Sequence, residues 1–503
     1  MLFIYPPVVK PSEPPAGLAK LAGALNRHGL SHQIIDANLE ALFHHVGGPV
    51  DRDDKWTRRA RRHLSSNLTS LFNGQAFSNL DHYKRAVIDI NRVVQMAQPQ
   101  LGGSLTLVNY SDPRFSPVRS QDLIRAAENP GQNPFFNYFS TRLDGLLEDR
   151  QPSLIGISLN YLSQALCAFA MAGYLREKAP GLKIIMGGGL VTSWLAGPGW
   201  RNPFEGLIDE LVAGPGEGPL LLSQGIERIE SHYRPDYGAF AGNRYLSPGF
   251  ILPYSASSGC YWSRCSFCPE CAEGNRFRPI PHRQVLTDLE GLLQETGPVL
   301  VHLLDNAVSP ALLGRLGENP MSVPWYGFAR ISKELTDLDF CLALKRSGCV
   351  MLKLGLESGD QTVLDRLGKG IELETASAVL QNLKAAGIAT YVYLLFGTPA
   401  EDLASARQTL DFIVRHGRLI GFLNLAIFNL PLYSPDSVNM ETEAFYEGDL
   451  SLYRQFQHPR GWHRPVVRQF LDREFKRHPA VAAILRRDPP LFTSNHAPFF
   501  KNL

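Results

Sequence analysis

The apolar positions of this chain fall in short runs separated by amphipathic stretches, a rhythm that predicts alternating strands and helices. "LFIY" (2–5) is an apolar run ended by a Pro-rich loop, residues 17–28 carry apolar side chains at helical spacing and stop at Gly29, and "HQIID" (32–36) is apolar again. This predicts a strand–loop–helix–strand unit of the parallel α/β kind. The rhythm breaks over roughly 40–150, a polar, aromatic-rich insertion predicted to be helical, with a Pro/Gly-broken stretch at about 98–135. It resumes at "LIGISLNY" (154–161), a helix through Arg176, "KIIMGGG" (183–189) and "ELVAGPGEGPLLL" (210–222).

A loop-rich stretch at 230–250 suggests a boundary. Beyond it come "FILPYSAS" (250–257), "PVLVHLLD" (298–305), "PWYGFAR" (324–330), "CVMLKLGLESG" (349–359), "ATYVYLLFGTP" (389–399) and "IGFLNLAIFNL" (420–430), with helical patterns between most of them. Such βα repetition predicts a full or partial barrel, with functional residues at the carboxyl ends of the strands. In the fourth segment the strand period puts Lys353, Gly355 and Glu357 on one face and three leucines on the other. Charges turned into a barrel call for a ligand or for an internal Lys353–Glu357 pair. Residues 431–503, rich in Arg, His and Phe, lack the rhythm; "HPRGWHRP" (458–465) and "TSNHAPFF" (493–500) either close the barrel mouth or serve as packing and surface. The expected domains are 1–245, 246–430 and 431–503.

At 503 residues, 44% hydrophobic and 19% charged, the chain has material for two or three domains. A net charge of +2 gives no bulk attraction to a polyanion, so no nucleic-acid partner is indicated. No basic segment precedes the first apolar residues, and no apolar run reaches the roughly 18 residues of a membrane span. The expectation is a cytoplasmic protein. Thiols there are kept reduced, and seven cysteines cannot all pair, which favours metal over disulfides.

Four of the seven cysteines lie in "SSGCYWSRCSFCPEC" (257–271), spaced Cys260-x4-Cys265-x2-Cys268-x2-Cys271, between a strand and a helix starting near Pro281. A zinc ribbon would use two Cys pairs separated by a longer hairpin, whereas iron–sulfur clusters accept close runs. Spacing alone leaves both open.

The cysteine loop with Phe267 before Cys268, "GLESG" followed by "VLDRLGKG", and "LLFGTPAED" resemble the radical S-adenosylmethionine (SAM) superfamily over about 250–430. "IYPPVVKPSEPPAGLAKLAGAL", "IGISLNY", "IIMGGG" and "GPGE" resemble the N-terminal domain of B12-binding radical SAM proteins. The resemblance implies an α/β protein: a Rossmann-like, cobalamin-binding-type open parallel sheet, a (β/α)6 partial TIM barrel and a mixed or helical C-terminal extension. It implies that Cys260, Cys265 and Cys268 ligate three irons of a 4Fe–4S cluster and leave the fourth to SAM. SAM contacts are expected from Phe267, Asp305, Arg330, Glu357, Ser358 and Gly397, and cobalamin contacts from Ser158, Asn160, Tyr161, Gly187, Gly188, Gly189, Gly214 and Glu217. Cys271 is left over, as a packed thiol or a candidate catalytic one.

Two features depart from the pattern. The first cysteine gap is four residues instead of three, and the Asp-x-His-x-x-Gly motif that supplies a histidine to cobalt is absent, Asp36 being followed by "ANLEAL". The activity implied is reductive SAM cleavage starting radical chemistry at an unactivated carbon, with cobalamin-dependent methyl transfer leading. A cyclisation, rearrangement or oxidation without methyl transfer is the second reading, and a non-catalytic zinc or iron–sulfur regulatory module the third. The implied partners are a low-potential electron donor such as flavodoxin or ferredoxin and a small-molecule or peptide substrate.

Overall fold

Five short apolar segments build the first sheet: β1 (Leu2–Ile4), β2 (Gln33–Ile35), β3 (Leu154–Ser158), β4 (Lys183–Gly187) and β5 (Glu210–Val212). The computed structural model describes all residues except 49–53, 98–102, 198, 445–447, 492–495 and 501–503. The strands run in the order β2-β1-β3-β4-β5, every pair parallel. The chain steps outward from β1 to β2 and then crosses to β3, so the order reverses between β1 and β3. At such a switch point the flanking loops part and leave a crevice at the carboxyl ends of the strands.

Helix α1 (Ala16–Arg27) connects β1 to β2, and α2 (Ala37–Gly47) opens the insertion. Asp36 caps α2 through Leu39 N and also accepts the Tyr245 hydroxyl at 2.8 Å. Burial pushes its carboxyl up to about 6. The insertion is largely helical, as expected, with helices from Lys55–Arg62 to Phe136–Arg150 and a small hairpin at Ser104–Ser111 inside the Pro/Gly-broken stretch. The part of that stretch at 98–102 lies outside the described residues. Helix α3 (Leu162–Lys178) then follows β3 and presents eleven buried residues to its surroundings.

The chain divides into two compact units near residue 250, and the C-terminal stretch forms no third body. It joins the first unit around Leu450, whose amide donates to Val118 O at 2.9 Å, and again at Pro490 and Leu491, and otherwise belongs to the second.

The second unit is a parallel sheet of β6 (Ile251–Tyr254), β7 (Leu300–Val308), β8 (Trp325–Ala329), β9 (Cys349–Glu357), β10 (Ala389–Phe396) and β11 (Phe422–Ile427), paired in sequence order. β6 and β11 do not pair, so the sheet is an open partial barrel of six strands. Leu352, Leu354 and Leu356 are buried on one face of β9, while Lys353 lies on the face that carries the aromatic rings of β8.

Lys353 does not pair with Glu357. Its ammonium lies 3.1 Å from His302 Nε2 on β7 and faces the rings of Tyr326 and Phe328. His302 stacks on Tyr326 with centroids 4.3 Å apart.

The two C-terminal motifs go to opposite ends of this unit. His458 donates to Thr398 O at 2.8 Å and the Trp462 indole to Glu401 Oε2 at 2.8 Å, which fixes "HPRGWHRP" beside the carboxyl end of β10. The described part of "TSNHAPFF", from His496, plugs the amino ends: Ala497 and Phe500 pack with Ile251, Leu300, Tyr326 and Phe422. Residues 493–495 lie outside the described residues. A short apolar helix fits there because the strands begin with large apolar side chains.

Candidate active site

The cysteine loop leaves β6 through a two-residue strand, Ser257–Ser258, that pairs antiparallel with Arg278–Pro279, so the loop is closed at its neck. Gly259 turns the chain at φ +70, and a Cβ there would sit 2.5 Å from Arg276 O, so only glycine fits. Asp305, in the last half of β7, anchors this neck by accepting from Ala256 N at 3.0 Å and Ser257 Oγ at 2.5 Å. Burial raises its carboxyl above the usual range. Asp305, expected as a SAM contact, is thereby tied to the neck of the cysteine loop.

Cys265 is buried, and Cys260, Cys268 and Cys271 are half-buried. Cys268 N donates to Cys265 O and Cys271 N to Cys268 O, tight turns that keep successive thiols together before the short helix Pro269–Ala272. Burial raises the Cys265 thiol, an effect opposed by the Lys369 and Arg330 cations beside it. Burial pushes Cys268 up to about 12. Cys271 Sγ lies 4.0 Å from Ser263 Oγ.

Among the described residues no three His, Cys, Asp or Glu side chains converge as donors to one metal ion. A cubane cluster makes a different demand, because each thiolate serves its own iron. The donor set of soft thiols at a strand end, with two cations to offset thiolate charge, fits such a cluster.

The turn after β9 folds onto this loop. Ser266 N donates to Leu367 O at 3.0 Å, the Trp262 indole donates to Gly368 O at 2.8 Å, and Lys369 faces the Phe267 ring. Glu357, the last residue of β9, has a left-handed backbone at φ +67 and pairs with Lys369 at 2.9 Å. A non-glycine residue held there costs about 1–3 kcal/mol, and such strain gathers at ligand sites. Gly355 leaves the space for this pair, since a Cβ would lie 2.5 Å from Glu357 Oε1.

Ser358 turns the other way: its hydroxyl contacts Thr409 Oγ1 at 3.2 Å and accepts from Asp360 N at 3.1 Å, away from the thiols. Gly397 has φ +81 and donates to the buried Glu401 carboxylate at 2.5 Å. Arg330 is drawn to the cysteine loop, 3.9 Å from Cys265 Sγ.

The sequence reading missed Trp262, Lys369 and Glu401 as members of this constellation, and it missed the His302–Lys353 contact deeper in the barrel. A cation flanked by glycines in "GKG" and an acid four residues after Gly397 were the available signals; His302 had none.

In the first unit, the switch-point loops are stitched together. Gln164 Nε2 donates to Pro6 O at 2.8 Å and Ser163 Oγ to Val8 O at 2.8 Å, while Gln164 Oε1 accepts from Asn160 N and Tyr161 N. Asn160 links Ser158 Oγ at 3.0 Å to Gly189 N at 3.0 Å. Gly188, at φ +111, has no room for a Cβ, which would lie 2.5 Å from Leu159 O, and Gly187 has little, at 3.4 Å from Val212 O. Gly214 presents bare backbone with open space, Gly189 would accept a Cβ at ordinary contact distance, 3.8 Å from Asn160 O, and Tyr161 exposes 55% of itself.

Ser158, Asn160, Tyr161 and the Gly187–Gly189 turn are thus brought together, with Gly214 tied in through Thr192 Oγ1 at 2.9 Å. Glu217 is not, its buried carboxylate being held by Lys20 at 3.1 Å. An exposed ring beside bare backbone at a switch point fits a broad, flat ligand such as a corrin.

No family model matches the chain. It is 24% identical over 208 residues to an uncharacterized methyltransferase of Pyrococcus horikoshii, covering 39% of this chain and 43% of that protein. It is also 24% identical over 212 residues to the anaerobic magnesium-protoporphyrin IX monomethyl ester cyclase of Rubrivivax gelatinosus, covering 40% of this chain and 36% of the other. The matches thus span about two fifths of the length of these curated relatives. No helix among the described residues is long and apolar enough to cross a membrane. Among solved structures, the radical S-adenosylmethionine methyltransferase TsrM from Kitasatospora setae, with cobalamin and a 4Fe–4S cluster bound, is similar at a TM-score of 0.51 and 17% identity, over 87% of this chain and 77% of that one. The fold of this chain, an open parallel sheet followed by a six-stranded partial barrel, is shared with that methyltransferase structure.

Proposed function

We propose that the protein is a radical SAM enzyme in which Cys260, Cys265 and Cys268 hold a 4Fe–4S cluster, the β1/β3 crevice holds cobalamin, and the reaction transfers a methyl group to an unactivated carbon. The observation that carries this reading is the cysteine loop at the carboxyl end of β6, clasped by the turn after β9, with cations and a strained carboxylate beside the thiols. When bound, the cluster would supply the electron that cleaves SAM, and the corrinoid the methyl group.

The chain's own residues bind and orient. Three thiolates leave one iron open to a chelating ligand. Glu357, fixed by Lys369, presents a carboxylate oxygen at the strand end for a cationic amine. The aromatic interior beneath, built on Tyr326 and Tyr391, excludes water. The reductant is a low-potential one-electron donor of the flavodoxin or ferredoxin class.

The test is anaerobic reconstitution with iron, sulfide and cobalamin, followed by assay of SAM cleavage and of methyl transfer from labelled SAM. Deoxyadenosine together with labelled product supports the reading. Cleavage without methyl incorporation removes the methyl-transfer part, and a colourless zinc-loaded protein removes all of it.

A further inference from the structure

The long gap between Cys260 and Cys265 contains Trp262, and Trp262 leads to Arg330. The indole is seated on the turn after β9: its N–H donates to Gly368 O at 2.8 Å, and Gly370 must be glycine because a Cβ would lie 2.0 Å from the ring. The Arg330 guanidinium lies over that ring, its Cζ 4.2 Å from a ring centroid. Nη2 donates to the Lys369 carbonyl, and Nη1 lies 3.9 Å from Cys265 Sγ. The side chain is only 8% exposed. It is thus fixed by a ring, a carbonyl and a sulfur together. Of the cations nearby, Lys369 is neutralised by Glu357 at 2.9 Å and Arg264 lies over the same indole at 5.1 Å, whereas no carboxylate pairs with Arg330 among the described residues.

We propose that Arg330 is a positioning residue for the cluster: pinned by Trp262 and the Lys369 carbonyl, it holds an uncompensated positive charge and an N–H against the Cys265 sulfur and raises the reduction potential of a cluster ligated there. The inference rests on the proposed function. One-electron reduction adds negative charge to the cluster, so a fixed cation stabilises the reduced state more than the oxidised one. Burial strengthens the effect, because little water screens it, and an N–H directed at a ligating sulfur acts in the same direction.

The experiment reconstitutes the parent chain, Arg330→Gln and Arg330→Lys with iron and sulfide, and measures bound iron. It then follows the reduced cluster by EPR in a redox titration with dithionite as electron source. The expected result is equal iron in all three, a midpoint shifted to more negative potential in Arg330→Gln, and a near-parental midpoint in Arg330→Lys, which keeps the charge. A parental midpoint in fully loaded Arg330→Gln overturns the proposal. Should Arg330→Gln lose its iron, Arg330→Lys decides: a loaded cluster at the parental midpoint supports the charge role, and loss of iron from both variants overturns it in favour of a purely structural clamp. A parent chain that binds no iron brings down the proposed function together with this inference, and the iron content shows that before any potential is read.

Discussion

Lys369 closes a 2.9 Å ion pair on Glu357 at the carboxyl end of β9, with side chains only 7% and 12% exposed. Removing one partner of a buried pair strands the other charge, at about 3–5 kcal/mol. Lys369→Ala is therefore expected to lower the urea midpoint of the second unit markedly. Gly355→Ala, which pushes a methyl group against both side-chain ends, is expected to weaken SAM binding with a smaller stability loss. Calorimetric titration with SAM alongside the denaturation curves separates the two effects.

Cys265→Ala removes the most buried of the four clustered thiols. Iron content and SAM cleavage are expected to fall to background, while corrinoid retention stays at the parental level because its proposed contacts lie in the first unit. Retained cleavage by this variant would remove Cys265 from the ligand set.

Burial raises the Glu401 carboxyl to about 8, against the lowering effect of hydrogen bonds from Gly397 and Trp462, with Asp402 and Asp360 adding to the rise. The folded state therefore binds this proton more tightly than the unfolded chain does. The resulting stability is fully present below the unfolded carboxyl range and is lost as pH climbs through about 8. Glu401→Gln keeps an acceptor for both donors and abolishes the ionisation. Thermal midpoints measured from about pH 5 to pH 8 should fall more steeply for the parent than for the variant; parallel slopes would show that Glu401 does not titrate in this range.

Asn160→Ala cuts the link from Ser158 to Gly189, and Gly188→Ala forces a methyl group against Leu159 O. Both are expected to reduce cobalamin retention on gel filtration while leaving iron loading unchanged. A loss of iron in step with cobalamin would indicate general unfolding and not a local site defect.

Much of the fold was readable from local pattern. "LFIY", "LIGISLNY" and "CVMLKLGLESG" all became strands because backbone sterics impose the two-residue period wherever apolar side chains can be buried. The leucine face of β9 was legible for the same reason. The Ser358 hydroxyl turns to Thr409 and the Asp360 amide, a direction that a motif does not specify at the strand end. Asp305 and Glu217 had the right positions, but their carboxylates are engaged by Ser257 and Lys20, partners that no spacing rule connects to them.

The order of elements, the crowding of four thiols into one loop and the glycines at strand ends are properties of the chain read in one dimension, because they follow from side-chain type and short-range geometry. Which groups meet was settled only by the closure of the sheets. Arg330 reaches Cys265 across 65 positions, Trp262 reaches Gly368 across 106, and Lys353 finds His302 across 51. Pairing six parallel strands in register brings their carboxyl ends together, and the chemistry of the site is selected there, among residues that are strangers in the sequence.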